Sequence, residues 1–154
     1  MSIEYRTLKP DESLSYRALR LESLVQFPEF FGEKYADALK IPKFFMEEVI
    51  QKPILEMFVM GAFVAGELSG ICVFIRQDSG VGHIYQMYVK AELQGNNIGF
   101  GLIKATLEEA QCRFANIEIF LEVAKDFKLY QKVGFALYND REAANTRMMR
   151  YQAK

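Results

Sequence analysis

The period of the hydrophobic positions changes several times along the chain, and each change marks an element. Ser2 to Leu8 alternates, with Ile3, Tyr5 and Thr7 on one side and Glu4, Arg6 and Leu8 on the other, which predicts a first strand ended by Pro10. Leu14, Ala18, Leu21 and Val25 then step by four, three and four, a helical stripe with Asp11 placed to cap it and Pro28 to stop it. Two shorter helical pieces are expected over Gly32 to Leu39 and Pro42 to Gln51, with Pro42 suited to a first turn.

The middle of the chain is different. Met57 to Ala65 and Leu68 to Arg76 are nearly continuous apolar runs joined at Gly66-Glu67, and Asp78, Ser79 and Gly80 lead into a further strand, Val81 to Val89. Three sequential strands with short turns predict an antiparallel meander covered on both faces. A helix is expected from Asn97 to Phe114, with Ile103, Leu107, Ala110 and Phe114 inward and Lys104, Glu108 and Gln111 outward. Ile117, Ile119, Leu121 and Val123 alternate with Glu118, Phe120 and Glu122 as a strand. A short helix, Lys125 to Lys132, ends at Gly134, and Phe135 to Asn139 and Thr146 to Gln152 are the last strands. The expected architecture is one α/β (α+β) domain over residues 1–154.

Composition narrows the function. Lys and Arg total 19 against 20 Asp and Glu, a net charge of -1, so there is no basic excess to neutralise phosphates and nucleic acid is not an expected partner. The apolar share of 51% excludes intrinsic disorder. The apolar runs fall short of the ~20 residues of a membrane helix, and the N-terminus mixes charges as a signal peptide does not. A soluble, cytoplasmic protein without a membrane partner is expected. The two cysteines, Cys72 and Cys112, form no metal-ligand or disulfide pattern and are read as packing residues, so no metal and no cysteine nucleophile is expected.

The most informative stretch runs from Gln94 to Leu102, where Gly95, Gly99 and Gly101 crowd the start of a helix. A glycine in a helix interior costs about 1 kcal/mol against alanine, so something must approach this backbone closely. A helix N-terminus offers free N–H groups and a partial positive charge to phosphate oxygens. Tight packing of helix on sheet explains the glycines equally well. Neither a Walker loop nor a dinucleotide Gly-x-Gly-x-x-Gly pattern is present.

Gln94, Asn97 and Gly99 resemble the Arg/Gln-x-x-Gly-x-Gly/Ala motif of the GNAT superfamily of acetyl-CoA-dependent N-acetyltransferases, with Asn97 replacing the internal glycine. Leu129-Tyr130-Gln131-Lys132-Val133-Gly134-Phe135 is similar to that family's second signature, Leu-Tyr-x-Lys-x-Gly-Phe, and Pro28-Glu29-Phe30-Phe31-Gly32 is similar to a segment that ends the first helix in some members. The resemblance implies a mixed, mostly antiparallel central sheet of about seven strands, flanked by helices and splayed between the fourth and fifth strands. It implies acetyl-CoA as co-substrate and direct acetyl transfer to a small-molecule or peptide amine. The pantetheine arm would pair with backbone groups of Met87, Tyr88 and Val89. The pyrophosphate would rest on the loop of Gln94, Gly95, Asn96, Asn97, Gly99, Phe100 and Gly101.

By the same resemblance Tyr130 is the expected general acid, also touching the cofactor, and the acyl carbonyl would bond the Met87 N–H. His83, the sole histidine, stands where many members carry a glutamate base, and its ordinary pKa of about 6.5 suits the task. Tyr85, two residues on and on the same face, is the alternative anchor for substrate or water. For the acceptor, Glu29, Glu33 and Asp37, or Asp140, Arg141 and Glu142, are either attractive charges or solvated faces. The alternative function is an acyl-CoA-binding sensor without turnover, and the chain is expected to be a monomer or homodimer.

Overall fold

The computed structural model describes residues 2–27, 34–123, 127–139 and 147–152. Strand β1 is Ile3–Thr7, and after a 3-10 turn at Pro10–Glu12 comes helix α1, Ser13–Gln26, then α2, Tyr35–Leu39, and α3, Phe45–Gln51. Strands β2, Met57–Val64, β3, Glu67–Asp78, and β4, Val81–Val89, lead through a 3-10 turn at Ala91–Leu93 to helix α4, Ile98–Arg113. Strand β5, Glu118–Val123, helix α5, Phe127–Val133, and strands β6, Ala136–Asn139, and β7, Arg147–Gln152, complete the order. The strands form one seven-stranded sheet, β1-β2-β3-β4-β5-β7-β6, antiparallel except for the parallel pair β4–β5.

Continuous apolar runs in the meander follow from burial on both faces. On β3, Cys72 and Phe74 pack towards Leu102, Ile103 and Leu107 of α4, while Ile71 and Val73 pack towards Tyr16, Leu19 and Leu24 of α1. Cys72 is buried beside Thr106, and burial pushes its thiol pKa up to about 12, so it is inert packing. Cys112 is exposed on α4, a correction to its expected place in the core.

Local chemistry moves several boundaries. The β2–β3 hairpin turns at Ala65-Gly66 rather than Gly66-Glu67, with φ 51° and 81°, and Val64 pairs directly with Glu67. Asp11 does not cap α1. Instead Glu12 accepts the Lys9 N–H at 2.7 Å and both Arg6 Nη atoms at 2.8 Å, and the Arg6 bonds hold its carboxyl below the usual range. Pro42 lies in a bend before α3, not in its first turn.

The buried face of α1 is also not the one the apolar stripe suggests. Leu14 is 72% and Val25 56% exposed, and Ala18 is exposed as well, whereas Tyr16, Leu19 and Leu24 are buried together with Ser13, Arg20 and Ser23. Ser13, Ser23 and the Tyr16 hydroxyl tolerate burial because they are bonded. Gln51 Nε2 donates to Ser13 Oγ at 2.9 Å, Ser23 Oγ donates to the Arg20 carbonyl, and Tyr16 Oη donates to Gln86 Oε1 at 2.6 Å. Apolar counting misses a face on which Tyr16 and Arg20 line the cavity described below.

Candidate active site

Strands β4 and β5 pair only through Val81–Glu118, Gly82–Ile119 and His83–Phe120, after which β5 continues against β7 and the two strands part. A bulge lies just beyond. Ile71 opposes Tyr88 and Val73 opposes Tyr85, so Gln86 and Met87 together face Cys72, and Gln86 takes a left-handed φ of 53°. Before the bulge the even-numbered backbone groups point at β5, as the Glu118 N–H bond to the Gly80 carbonyl at 2.8 Å shows. After it the phase is reversed: Lys90 donates to the Ser69 carbonyl at 3.0 Å, which turns Tyr88 towards β3 and leaves the groups of Met87 and Val89 facing the gap.

This corrects the expected role of Tyr88. Its backbone faces β3, and its hydroxyl donates to Glu22 Oε2 at 2.7 Å on α1, where burial and that carboxylate raise the phenol pKa. The Met87 backbone and the Val89 N–H remain as the strand's free edge. The gap opens into a cavity of about 1180 Å³ that reaches both faces of the sheet.

On the α4 face the cavity meets the glycine-rich loop. Gln94 Nε2 donates to the Val89 carbonyl at 3.0 Å and ties the loop to β4. Gly95 has φ 91° and Asn97 φ 60°, so asparagine occupies the left-handed position in place of glycine. The Asn97 side chain makes no capping bond, and the first helical backbone bond runs from Gly101 N–H to the Asn97 carbonyl at 3.1 Å. The N–H groups of Ile98, Gly99 and Phe100 are therefore left at the start of a 16-residue helix, an arrangement suited to phosphate oxygens. A Cβ on Gly95 would meet nothing within 4 Å.

Two loop residues turn out to have other work. Gly101 spends its N–H inside the helix, and a Cβ there would run into the Tyr5 phenol of β1, so this glycine serves helix-on-sheet packing. Asn96 is exposed and donates through Nδ2 to the Leu93 carbonyl at 2.9 Å, closing the turn. Helix-on-sheet packing thus accounts for Gly101 and not for Gly95.

On the α1 face three side chains converge. His83 and Tyr85 stack with ring centroids 5.9 Å apart, and His83 stacks on Phe120 of β5 at 5.6 Å. Burial lowers the His83 pKa, partly opposed by the Glu122 carboxylate, and its Nδ1 is buried without a hydrogen-bond partner. Tyr85 accepts from Gln77 Nε2 at 2.7 Å, and burial raises its pKa. Glu122, two residues past Phe120, lines the cavity and acts electrostatically on both. Its place was not foreseen, because a β4–β5 pairing across an intervening helix leaves no mark in local sequence. The bulge did leave one: inward residues shift from Ile84 to Met87 and Val89, a change of phase.

The wall opposite is built by α1 and α3. Buried Glu47, 3% exposed, accepts the Phe44 N–H at 2.6 Å and Arg17 Nη1 at 2.9 Å. Arg17 also donates to the Ile41 carbonyl at 2.6 Å and lies 4.4 Å over the Phe44 ring. Tyr130 of α5 lines the cavity with its ring edge-on to Phe135 at 6.1 Å, and α5 ends where Phe135 and Gly134 donate to the Tyr130 carbonyl, Gly134 having φ 123°. Asp37 is exposed on α2; Glu29, Glu33, Asp140, Arg141, Glu142 and the Pro28–Gly32 segment lie outside the described residues. Among the described residues no cluster of His, Cys, Asp or Glu is placed to hold a metal, and no helix is long and apolar enough to cross a membrane.

The class of fold is a split mixed sheet with a phosphate-competent helix start at the split. A sequence profile of the Acetyltransferase (GNAT) family matches residues 16–135, and the chain belongs to that family. The PaiA N-acetyltransferase of Thermoplasma acidophilum, solved with coenzyme A, superposes with TM-score 0.78 at 21% identity over 99% of this chain and 100% of its own. A GNAT-family acetyltransferase of Streptococcus pneumoniae gives 0.77 at 19% identity, covering 99% and 100% of the two chains. N-acetylglutamate synthase of Neisseria gonorrhoeae, solved with coenzyme A and N-acetyl-glutamate, gives 0.72 at 14% identity, over 100% of this chain and 36% of its own. No curated protein sequence matches the chain.

Proposed function

We propose that the protein is an N-acetyltransferase that passes the acetyl group of acetyl-CoA directly to a primary amine, both substrates being bound together. The observation that carries this reading is the gap itself: it joins the helix start at Ile98, Gly99 and Phe100 on one face to His83 and Tyr85 on the other. The coenzyme supplies an activated thioester. Backbone N–H groups of Asn97 to Phe100 hold its pyrophosphate, and the free edge at Met87 and Val89 holds its extended arm. Groups fixed before a ligand arrives need no reorganisation when charge develops.

Transfer requires the amine nitrogen to bond the acetyl carbon, the carbon–sulfur bond to break, one amine proton to leave and one proton to reach sulfur. His83, kept neutral at pH 7 by burial, takes the amine proton, directly or through a water ordered by Tyr85. The Met87 N–H, aimed into the gap by the bulge, polarises the carbonyl, and the Tyr130 hydroxyl on the opposite wall protonates the leaving sulfur. Asn97 takes the strained φ that the motif's glycine usually serves, which favours a working site over a degenerate one.

Calorimetric titration with acetyl-CoA, free CoA and NAD tests the cofactor, and thiol release across an amine panel tests turnover. Micromolar binding of both CoA forms, no NAD binding and amine-dependent thiol release are expected. Binding without turnover on any amine would leave a sensor, and no CoA binding at millimolar ligand would overturn the proposal.

A further inference from the structure

We propose that the acceptor is a monoamine carried on an apolar body of about aromatic size, with its ammonium seated at Glu122; this rests on the acetyltransferase reading above. Charge comes first. Among the described residues that line the cavity, Glu122 is the one acidic side chain and Arg20 the one Lys or Arg. A polyamine or amino sugar brings several ammonium groups, each of which loses water on entering and must find a carboxylate. One carboxylate serves one ammonium.

Position comes next. Ile75, His83, Phe120 and Glu122 share the α1 face, because Ile75 pairs with His83, His83 pairs with Phe120, and Glu122 lies two residues along β5. The carboxylate therefore stands beside the point where β4 and β5 part, within electrostatic reach of His83 and Tyr85. An ammonium attracted there lies at the same part of the gap as the His83 imidazole.

The remaining wall describes the rest of the molecule. Phe27, Ile41, Phe44, Phe45, Met46 and Ile75 line the cavity on this face and offer no charge. Phe45 is 62% exposed, although its neighbours on both sides in sequence, Phe44 and Met46, are buried. At the cavity wall this exposed ring offers an apolar contact to a substrate's own apolar surface.

The test uses the full chain with saturating acetyl-CoA and follows thiol release with 2-phenylethylamine, ethylamine, spermidine and kanamycin. The expected kcat/KM for 2-phenylethylamine exceeds those for spermidine and kanamycin by at least about tenfold, and Glu122→Gln lowers it about tenfold with acetyl-CoA binding unchanged by calorimetry. Phe45→Ala is expected to raise KM for 2-phenylethylamine and leave that for ethylamine unmoved. Faster acetylation of spermidine or kanamycin, or an unaltered Glu122→Gln enzyme, overturns this proposal and leaves the acetyltransferase reading standing. Failure of acetyl-CoA to bind overturns both.

Discussion

The wall that faces the gap depends on one buried ion pair, and removing half of it should unfasten the acceptor side alone. In Glu47→Ala the Phe44 N–H loses its acceptor and the Arg17 guanidinium loses its carboxylate, at a site where Glu47 is 3% and Arg17 18% exposed by side chain. Breaking a buried pair from one side costs about 3–5 kcal/mol, and the partial exposure of Arg17 puts this case near the lower end, about 3 kcal/mol. A domain of this size loses roughly 2–4 °C of Tm per kcal/mol, so a fall of about 6–12 °C is expected, within the ~5–15 kcal/mol that such a domain has in reserve. Urea unfolding measures the free energy directly, and Glu47→Gln, which retains an oxygen for the Phe44 N–H, should lose about half as much. The Arg17→Met, Glu47→Met double variant should recover most of the loss, since no charge is then stranded. The pair pins Ile41 and Phe44, so KM for the amine should rise in Glu47→Ala while the acetyl-CoA affinity stays the same. A loss below about 1 kcal/mol, the range of an exposed pair, would refute this account of the wall.

Three further outcomes are expected. Tyr130→Phe should lower kcat at least about tenfold with CoA affinity unchanged, read by single-turnover kinetics and calorimetry; an unchanged rate removes Tyr130 from the chemistry. Burial lowers the His83 pKa, only partly opposed by the Glu122 carboxylate, so the unfolded chain binds the proton more readily than the fold does. Its share of stability is accordingly present above about pH 6.5 and lost as pH falls through the lower folded value, and kcat/KM should fall on the same acid limb, a limb absent in His83→Gln. Gly99→Ala and Gly101→Ala should separate: a Cβ at Gly99 meets the mobile Met87 Cε at 3.2 Å, so stability should hold while CoA binding weakens. At Gly101 the Tyr5 ring is in the way, so the free energy of unfolding should fall by about 1–3 kcal/mol with CoA affinity kept, and Tyr5→Ala should relieve it.

Most of the fold was legible because its period is local. The alternation of Ile117, Ile119, Leu121 and Val123 survives as a fully buried row, and the apolar runs from Met57 and from Leu68 are the doubly covered strands expected. The stripe on α1 misled because the sequence does not say which partner a helix will meet. Tyr16 and Ser23 are buried through hydrogen bonds made to a residue elsewhere in the fold or one turn away, and Leu14 and Val25 are left in solvent. The caps failed for the same kind of reason: Glu12 and Glu47, rather than Asp11 or Pro42, start their helices because Arg6 and Arg17 arrive from other elements to hold them.

The site divides along the same line. Its α4 side is a continuous stretch, Gln94 to Phe100, whose strained positions fall on glycine and asparagine, residue types that betray them. Its α1 side is assembled from β3, β4, β5 and α3, and no spacing predicts that Glu122 will stand beside His83. Gln86 links the two halves. With φ at 53° it puts the side chains of Tyr85 and Gln86 on one face in succession, and it turns the Met87 backbone from β3 to the gap. Had β4 kept a regular phase, the free edge would carry Tyr88 and the groups of Met87 would be consumed by β3. The shift of inward residues from Ile84 to Met87 is thus the one local sign of a device whose effect is global, since it opens the edge on which the two halves of the site meet.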